Sequence, residues 1–372
     1  MKIDQATLHR VRLPLKHSFQ TSSHRKAHLE HVLVRLVDAD GVEGWGEIAS
    51  GSDPYYAPDT TDTSWLIATR YLLPAVLGHE VDHPSEVAAL HGKVRGHRFA
   101  AAGVDMAAWA LWTRRRGEPL ARALGGVRDT VVAGVSLGIE PTIDDLLAQV
   151  QRHVDAGYPR VKLKIAPGWD VEPVEQVRAA FPELDLHVDA NGAYLDDPDH
   201  LAVLRALDRF GLTMIEQPFA PRALLPSAAL QAAIDTPVCL DESVDTLDDL
   251  RTAIALGAGR VLNIKVSRMG GLTTAVAAHD LARDAGWPVW CGGMHEFGVG
   301  RIANVALSSL PGFTLPSDVS ASDKYYERDV VVPPLTADRG VVTVPTAPGL
   351  GVEVDTDFVL AAGEQTFRTR AG

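Results

Sequence analysis

Residues 160–191 read RVKLKIAPGWDVEPVEQVRAAFPELDLHVDAN, which is an apolar run, an amphipathic stretch and a second apolar run in succession. The first run predicts a strand that ends at Lys164, and the second predicts a strand that ends at Asp189, because short apolar runs bounded by turn residues are typical of buried strands. The stretch VEPVEQVRAAFP between them predicts a helix. The centre of the chain is therefore a strand–helix–strand unit.

The same alternation repeats from about Thr130 onward. The strand-like runs are VVAGVSLGI, RVKLKI, LDLHVDAN, TMIEQPF, PVCLDES, RVLNIK, PVWCGGM and FTLPSD. Helical candidates such as IDDLLAQVQRHVDAG and TLDDLRTAIALGAG lie between them. Eight nearly apolar strands that alternate with helices predict a parallel (β/α) barrel, a modified TIM barrel, whose strands are covered on both faces. An open doubly wound sheet would need a glycine-rich phosphate loop, and GVSLGIEPT does not fit G-x-G-x-x-G.

The remainder of the chain predicts a second domain. Residues 3–15 and 29–38 alternate apolar and polar side chains, which indicates strands, and the pattern is helical from about Thr61 to Leu124. We therefore expect an α+β capping domain over residues 1–129, the barrel over 130–325, and a C-terminal segment over 326–372 that packs back on the capping domain.

Composition limits the classes of function. The 372 residues are 46% hydrophobic and 22% charged, with a formal net charge of −13, which argues against non-specific nucleic-acid binding. No apolar run is long enough to span a membrane, and the N-terminus lacks the apolar region of a signal peptide, so we expect a cytoplasmic protein. Cys239 and Cys291 lie in apolar runs and are expected to be buried rather than disulfide-bonded.

Charged residues end five of the predicted barrel strands. They are Asp189, Glu216 and Asp241 on three neighbouring strands, with Lys164 before them and Lys265 after them. Because strand ends of a β/α barrel meet at one mouth, these groups are expected to lie together. Three carboxylates would repel one another without a cation, and oxygen ligands suit Mg²⁺, with Mn²⁺ as a possible substitute.

The two lysines are predicted to lie on opposite sides of that cation. A carbon acid held between them would present one face to Lys164 and the other to Lys265, so the sequence predicts proton transfer at a carbon that a metal has acidified. Lys162 stands two residues before Lys164 and points the same way on a strand, so its ammonium is expected to help Lys164 act as a base.

The order KLK, DANG, IEQP, LDES and NIK resembles the enolase superfamily, in its muconate-lactonising subgroup. A lysine base working with Mg²⁺ is a pattern of that superfamily. The longer stretches LKIAPGWDVEPV, CGGM, GRIANVALSSLPGFTLPSD and SASDKYYERD look like the group that contains o-succinylbenzoate synthases and N-acylamino-acid racemases. The resemblance covers nearly the whole chain.

This resemblance implies roles for the strand-end residues. Asp189, Glu216 and Asp241 would bind Mg²⁺. Lys164 would abstract the proton, and Lys265 would act as the acid on the other face or as a cation that stabilises the intermediate.

Other roles follow from the same resemblance. Asn191 would lie near the metal and the substrate carboxylate, and Ser136 would contact the far carboxylate arm of the substrate. Arg268 resembles an arginine of members that racemise acylamino acids. Two loops of the capping domain, HSFQTSSH with Phe19 and SGSDPYY with Tyr55, would close over the site.

The run Met294-His295 departs from the relatives, which carry Met-Ile or Met-Leu after the double glycine. A strand-seven histidine invites comparison with mandelate racemase, but that enzyme pairs it with a strand-six aspartate, whereas strand six here carries Lys265. Met294 and His295 are therefore expected to form a wall of the substrate pocket. The change leaves substrate specificity open.

The expected reaction is Mg²⁺-dependent abstraction of a proton next to a carboxylate. One form is the o-succinylbenzoate synthase reaction of menaquinone synthesis, and the alternative is racemisation of N-succinyl or other N-acyl amino acids in the same site. A dipeptide epimerase or a muconate-type cycloisomerase fits less well, because the stretch TLPSDVSAS has one aspartate where epimerases carry two. A non-catalytic homologue would have lost one of the five groups. The resemblance also implies a homo-oligomer.

Overall fold

The computed structural model describes residues 1–20 and 25–372, apart from the side chains of residues 17–20, 25 and 26. The described chain forms an antiparallel sheet with helices packed on it, followed by a curled parallel sheet surrounded by helices. The predicted fold class, a β/α barrel with an α+β capping domain, is confirmed. The predicted domain boundaries stay a prediction.

The N-terminal sheet is built on a long hairpin. Its strands are β1 (Ile3–Gln20), β2 (Arg25–Asp38) and β3 (Glu43–Ile48). The helical segments that follow are α1 (Thr61–Ile67), a π-helical turn (Ala68–Leu72), α2 (Leu73–Val76), α3 (Glu86–Leu90), α4 (Arg98–Arg116) and α5 (Leu120–Ala123). Gly46 lets α4 lie directly on the sheet, since a Cβ at Gly46 would stand 2.1 Å from the carbonyl oxygen of Gly103.

The hairpin corrects one prediction. The segment HSFQTSSH, predicted as a loop, is strand as far as Gln20, and the next strand begins at Arg25. Pairing between the two strands is interrupted after Pro14, which has no N–H to donate, and resumes where Phe19 faces Lys26. The side chain of Phe19 and residues 21–24 lie outside the described residues, so the predicted contact of Phe19 with substrate stays a prediction.

The barrel sheet follows a short strand, β4 (Thr130–Val132). Its seven parallel strands are β5 (Val135–Leu137), β6 (Arg160–Lys164), β7 (Asp185–Asp189), β8 (Ile215–Glu216), β9 (Val238–Leu240), β10 (Val261–Ile264) and β11 (Val289–Cys291). They pair in chain order from β5 to β11. The helices around them are α6 (Ile143–Asp155), α7 (Val171–Ala180), α8 (Pro198–Ala206), a 3-10 turn (Leu207–Phe210), α9 (Leu224–Gln231), α10 (Leu247–Leu256), α11 (Val266–Met269), α12 (Leu272–Asp284) and α13 (Gly298–Ser308).

The eighth predicted strand, FTLPSD, closes the barrel without forming a regular strand. Phe313 bridges to Val289 at one edge of the sheet, and Ser317 bridges to Ala133 at the other. Pro316 interrupts the run, and because proline cannot donate to a ladder, pairing is limited to these single bridges.

The C-terminal segment returns to the N-terminal sheet. After a 3-10 turn (Ser322–Lys324) come β12 (Val331–Val332), β13 (Val341–Thr343), β14 (Glu353–Val354), α14 (Thr356–Ala361) and β15 (Gly363–Arg370). Strand β15 pairs antiparallel with β1. Both cysteines are free and buried, as predicted. In the described chain, no helix combines the length and the apolar character needed to cross a membrane.

Candidate active site at the barrel mouth

Three basic residues of β6 line the inside of the barrel. Arg160, Lys162 and Lys164 alternate along the strand, so all three point the same way. The Arg160 guanidinium lies 5.3 Å from the ring centre of Trp290 on β11, across the sheet, and donates to Asp318 at 2.8 Å. The strand therefore carries a row of three positively charged side chains up to the mouth of the barrel.

Lys162 is the middle residue of this row and is buried. Its Nζ lies 3.0 Å from Asp318, 3.1 Å from Glu216 and 3.6 Å from Asp189. Burial opposes the positive charge of Lys162, but these three carboxylates outweigh it and raise its pKa above the ordinary value. Lys162 therefore stays charged and serves as a fixed cation rather than as a base.

Glu216 is fully buried and is held by three side chains. Besides Lys162, the amide of Asn263 donates to it at 2.7 Å, and His187 Nε2 lies 3.0 Å away. Burial, together with the nearby charges of Arg160 and Lys162, lowers the pKa of His187 well below its ordinary value, so the imidazole is neutral and donates to the carboxylate.

Lys164 lies at the end of β6 beside Asp189, which is its neighbour in the sheet register. Lys164 Nζ lies 2.5 Å from Asp189 and 2.5 Å from the amide oxygen of Asn191. The amide nitrogen of Asn191 donates to Glu242 at 2.9 Å, which turns the oxygen of that amide toward the lysine. Asn191 has a φ of 44°, a left-handed conformation that asparagine tolerates better than most residues.

Lys265 lies at the end of β10, and three strands of the sheet separate β10 from β6, which carries Lys164. It donates to Asp241 at 2.8 Å and to the hydroxyl of Tyr56 at 2.9 Å. Arg268 also pairs with Asp241 and donates to Tyr56 at 3.2 Å. Burial alone would raise the pKa of Asp241, but Arg268 and Lys265 hold it well below its ordinary value.

The three predicted ligands lie on adjacent strand ends, and each is 0–1% exposed. In the structure, however, each of these carboxylates is paired with a lysine. Residues 1–20 and 25–372 contain no group of three His, Cys, Asp or Glu side chains close enough to hold a metal ion. The chemistry of the donors nevertheless fits a hard divalent cation. Oε2 of Glu242 is also buried beside Asp241, with no hydrogen-bond partner in the described structure.

The inner site brings many charged groups close together. Its ion-paired residues are Asp189, Glu216, Asp241 and Asp318, with Arg160, Lys162, Lys164, Lys265 and Arg268. Burial and the neighbouring Asp241 raise the pKa of Glu242 to about 8, so this carboxyl group is largely uncharged near pH 7. The carboxylates fit Mg²⁺, and the cations fit an anionic substrate.

Ser136, Met294 and His295 lie on the side of the mouth nearest β5 and β11. Ser136 Oγ donates to Asp318 at 3.1 Å, and Met294 packs against the core of the N-terminal domain. His295 lies against Tyr325, with 5.4 Å between ring centres, and has a φ of 60°. Ser136 and His295 both line a cavity of about 860 Å³.

The structure places Tyr56, not the predicted Tyr55, against Lys265. Tyr55 is 64% exposed, whereas Tyr56 contacts Lys265, Arg268 and Asp241. The two residues are neighbours in a loop without regular structure, so the sequence offers no periodicity to say which side chain turns inward. The predicted contact of Tyr55 with substrate stays a prediction.

Several residues of the site were not predicted from the sequence. They are Tyr56, Arg160, His187, Glu242, Asn263 and Trp290. Three of them had a recognisable sequence pattern, because Arg160, His187 and Asn263 are polar residues inside apolar strands. His187 and Asn263 each stand two residues before a predicted strand-end group, and Arg160 stands four residues before one. That spacing places them on the inner face of the barrel.

Two known protein families match the chain. Residues 3–125 match the mandelate racemase / muconate lactonizing enzyme N-terminal domain, and residues 145–358 match the enolase C-terminal domain-like family. The chain is 45% identical to an o-succinylbenzoate synthase from Geobacillus stearothermophilus over 95% of this chain and 94% of the relative. It is 46% identical to an N-succinylamino acid racemase from an Amycolatopsis species over 95% of both chains.

Solved structures give the same result. A member of the enolase superfamily from Listeria innocua matches with a TM-score of 0.97 at 34% identity, over 100% of both chains. An enolase-superfamily protein from Enterococcus faecalis matches with a TM-score of 0.93 at 38% identity, again over 100% of both chains. The chain belongs to the enolase superfamily, in the family of mandelate racemase and muconate-lactonizing enzyme.

Proposed function

We propose that this protein is an o-succinylbenzoate synthase, which removes water from 2-succinyl-6-hydroxy-2,4-cyclohexadiene-1-carboxylate. The observation that carries the proposal is the pair of lysines, Lys164 and Lys265, on strand ends that are separated by three strands, whose ends carry buried carboxylates. That arrangement suits a carbon acid held between one lysine that removes its proton and a second lysine that stays protonated. The similarity to curated synthases along nearly the full chain supports this substrate.

Lys164 is the base in this proposal. Its Nζ takes the proton from the carbon next to the substrate carboxylate, and the bond to the leaving hydroxyl then breaks. The proton on Lys164 goes to that hydroxyl, so water leaves and the ring becomes aromatic. Asn191 keeps Lys164 oriented through the 2.5 Å contact between its amide oxygen and Nζ.

Lys265 remains protonated and stabilises the negative charge that develops on the substrate. Burial disfavours its charge, but Asp241 outweighs burial and raises the pKa of Lys265 well above its ordinary value. Asp189, Glu216 and Asp241 would hold Mg²⁺, or Mn²⁺ as a substitute. The ion would supply positive charge next to the substrate carboxylate, which makes the neighbouring carbon more acidic.

The test is turnover of the cyclohexadiene carboxylate, followed by the loss of its ultraviolet absorbance in the presence of Mg²⁺. Turnover that a chelator abolishes and Mg²⁺ restores is the expected result. A Lys164→Ala variant should keep its circular dichroism spectrum and melting temperature while losing turnover. Activity retained in that variant would contradict the role of Lys164.

A second candidate is racemisation of N-succinyl amino acids in the same site. Arg268 and the two opposed lysines favour it, because a proton removed by one lysine can be returned to the opposite face by the other. Curated racemases are 44% and 46% identical to this chain. Solvent deuterium should enter both enantiomers of N-succinylphenylalanine. Failure of deuterium to enter either enantiomer would exclude this activity.

The finer assignments belong to the same proposal. They are a role in menaquinone synthesis, a cytoplasmic location, and assembly as a homo-oligomer. Phe19 and Met294 remain proposed substrate contacts, as does His295 in the wall of the pocket. Asp318 is already paired with Arg160 and Lys162, so it is poorly suited to hold the free amino group of a dipeptide substrate.

A further inference from the structure

Glu216 is the predicted metal ligand on the shortest strand of the barrel sheet. Strand β8 consists of Ile215 and Glu216 alone, and it pairs with β7 and β9 through these two residues. Such a short strand fixes the main chain of Glu216, but the direction of the carboxylate depends on the side chains around it. The groups that contact this carboxylate therefore decide which of its oxygen lone pairs a metal ion can reach.

Among the described side chains, three donors contact the Glu216 carboxylate. The amide of Asn263 donates to Oε1 at 2.7 Å. Lys162 Nζ donates to Oε2 at 3.1 Å, and His187 Nε2 lies 3.0 Å from the same oxygen. A carboxylate has about four lone pairs, which is about two on each oxygen. Oε2 is therefore saturated, whereas Oε1 keeps a free lone pair for a metal ion.

The sheet register brings His187 to Oε2. His187 faces Lys162 across β6 and β7, and it stands two residues before Asp189, so the three side chains share the inner face of the barrel. Because a carboxylate oxygen only accepts, Nε2 of His187 must carry the hydrogen of this bond. Both the neutral and the charged imidazole can supply that hydrogen, so the donor role of His187 does not depend on its charge.

Packing fixes both donors of Oε2 in place. Trp290 is fully buried, and its Nε1 donates to Sγ of Cys239 at 3.4 Å. The His187 ring meets the Trp290 ring edge to face with 5.3 Å between centres, and Lys162 Nζ lies 4.7 Å from the centre of the Trp290 ring. Asp318, which is not a predicted ligand, holds Lys162 at 3.0 Å. These contacts leave the two donors little room to move away from Oε2 when a metal ion binds.

The number of free lone pairs on Glu216 affects which cation fits. Ca²⁺ takes about six to eight oxygen ligands and accepts both oxygens of one carboxylate, whereas Mg²⁺ is smaller and requires nearly octahedral geometry. A carboxylate with free lone-pair space on one oxygen only cannot bind a cation through both oxygens. Restricting Glu216 to Oε1 therefore disfavours Ca²⁺ more than it disfavours Mg²⁺.

We propose that His187 is a positioning residue that restricts Glu216 to one available oxygen and thereby selects Mg²⁺ over Ca²⁺. The inference rests on the proposed function, in which Glu216 binds the divalent cation. It goes beyond that function because it assigns the choice of cation to a side chain that acts through Glu216 and is not itself a ligand. Loss of the His187 donor frees a lone pair on Oε2, so that both oxygens of Glu216 become available.

The experiment measures cation affinity in the absence of substrate. The melting temperature is recorded at increasing concentrations of MgCl₂ and, separately, of CaCl₂, because a ligand that binds only the folded state stabilises it according to its Kd. The proteins are wild type, His187→Met, His187→Leu and His187→Gln. Methionine and leucine fill the space without donating, whereas glutamine keeps an N–H donor.

His279→Leu is the matched control for loss of a buried histidine. His279 is 1% exposed, as is His187, but it lies on α12, where it stacks on Phe313 and accepts from the main-chain N–H of Gly312 at 2.9 Å. His279→Leu should lower the melting temperature and leave the preference for Mg²⁺ unchanged.

We expect the ratio of the Kd for Ca²⁺ to the Kd for Mg²⁺ to fall about tenfold in His187→Met and His187→Leu, since partners of metal ligands commonly change metal affinity by that amount. His187→Gln should restore a ratio close to that of wild type. The two apolar variants have different shapes, so the comparison still holds if one of them fails to fold.

Three results would overturn this role of His187. One is an unchanged ratio in the apolar variants, because a merely structural role would weaken both cations together. The second is a ratio in His187→Gln that falls as far as in His187→Met. The third is a wild-type protein that does not prefer Mg²⁺ to Ca²⁺. Turnover is measured separately, so a protein that selects Mg²⁺ through His187 without converting the cyclohexadiene carboxylate would refute the proposed function and leave this role intact.

Discussion

Asp105 of the N-terminal domain caps a barrel helix by accepting hydrogen bonds from Thr273, at 3.2 Å from the main-chain N–H and 2.6 Å from the hydroxyl. Thr273 lies in the first turn of α12, where main-chain N–H groups have no partner within the helix. The approach is so close that a Cβ at Gly271 would lie 2.4 Å from the carboxylate. Because α12 follows Lys265 and Arg268 in the chain, this cap ties the capping domain to the strand end that carries them.

The pH dependence of stability follows from this buried cap. Burial is the main cause that raises the pKa of Asp105 to about 7, from an ordinary value of 3.8. Below about pH 4 the carboxyl is protonated in both the folded and the unfolded protein, so its full contribution to stability is present there. As the pH rises to 7, the unfolded state loses its proton first, and the free energy of unfolding falls by up to about 4 kcal/mol.

Asp105→Asn should remove this pH dependence. Urea unfolding of wild type and of the variant, between pH 5 and pH 8, measures the free energy of unfolding of each protein. The difference between these two free energies should shrink as the pH rises. A difference that stays constant, or that grows with pH, would contradict the raised pKa of Asp105.

Glu47 makes an equivalent link at α13. It accepts from the main-chain N–H groups of Phe297 and Gly300, both at 2.8 Å, and it lies 2.6 Å from His31 Nδ1. Glu47→Ala would leave buried donors without a partner, so we expect a loss of about 3 kcal/mol in the free energy of unfolding. Glu353→Ala, which removes a carboxylate with a side chain that is 68% exposed, should change it by less than about 0.5 kcal/mol.

Chemical denaturation of both variants checks this prediction. Since α13 follows the run that contains Met294 and His295, Glu47→Ala should also weaken substrate binding more than it slows turnover at saturation. Equal stability of the two variants would show that Glu47 does not act as a cap.

The sequence predicted the strand-end groups because each follows a recognisable apolar run, and a parallel barrel gathers such ends at one mouth. It could not predict the caps, since Asp105 and Thr273 are 168 residues apart, and Glu47 and Gly300 are 253 apart. Nor could it predict that Lys162 would pair with Asp318, because the eighth run is placed by two isolated bridges rather than by a regular strand. Local pattern predicts an element and its ends, whereas contacts between distant elements depend on how they pack.

Tyr56 and Tyr55 provide a matched pair of variants. Tyr56 accepts a hydrogen bond from Lys265 at 2.9 Å, and the Lys265 ammonium lies 4.6 Å from the centre of its ring. Tyr56→Phe keeps the ring and removes the hydroxyl, so we expect turnover of the cyclohexadiene carboxylate to fall about tenfold. Tyr55 is 64% exposed, and Tyr55→Phe should stay within about twofold of wild type. A larger loss in Tyr55→Phe than in Tyr56→Phe would reverse the assignment.

Metal binding should compete with the ion pairs of Asp241. In the structure Asp241 is paired with Lys265 and Arg268, so a divalent cation must share this carboxylate with them. A ligand that binds only the folded state stabilises it. Mg²⁺ at about a hundred times its dissociation constant should therefore add about 2.7 kcal/mol to the free energy of unfolding of wild type. A chelator should remove that gain. Asp241→Asn should lose most of the gain, whereas Asp248→Asn, at a side chain that is 89% exposed, should keep it. Thermal unfolding of the three proteins with Mg²⁺ and with chelator measures the difference, and an undiminished gain in Asp241→Asn would exclude Asp241 as a ligand.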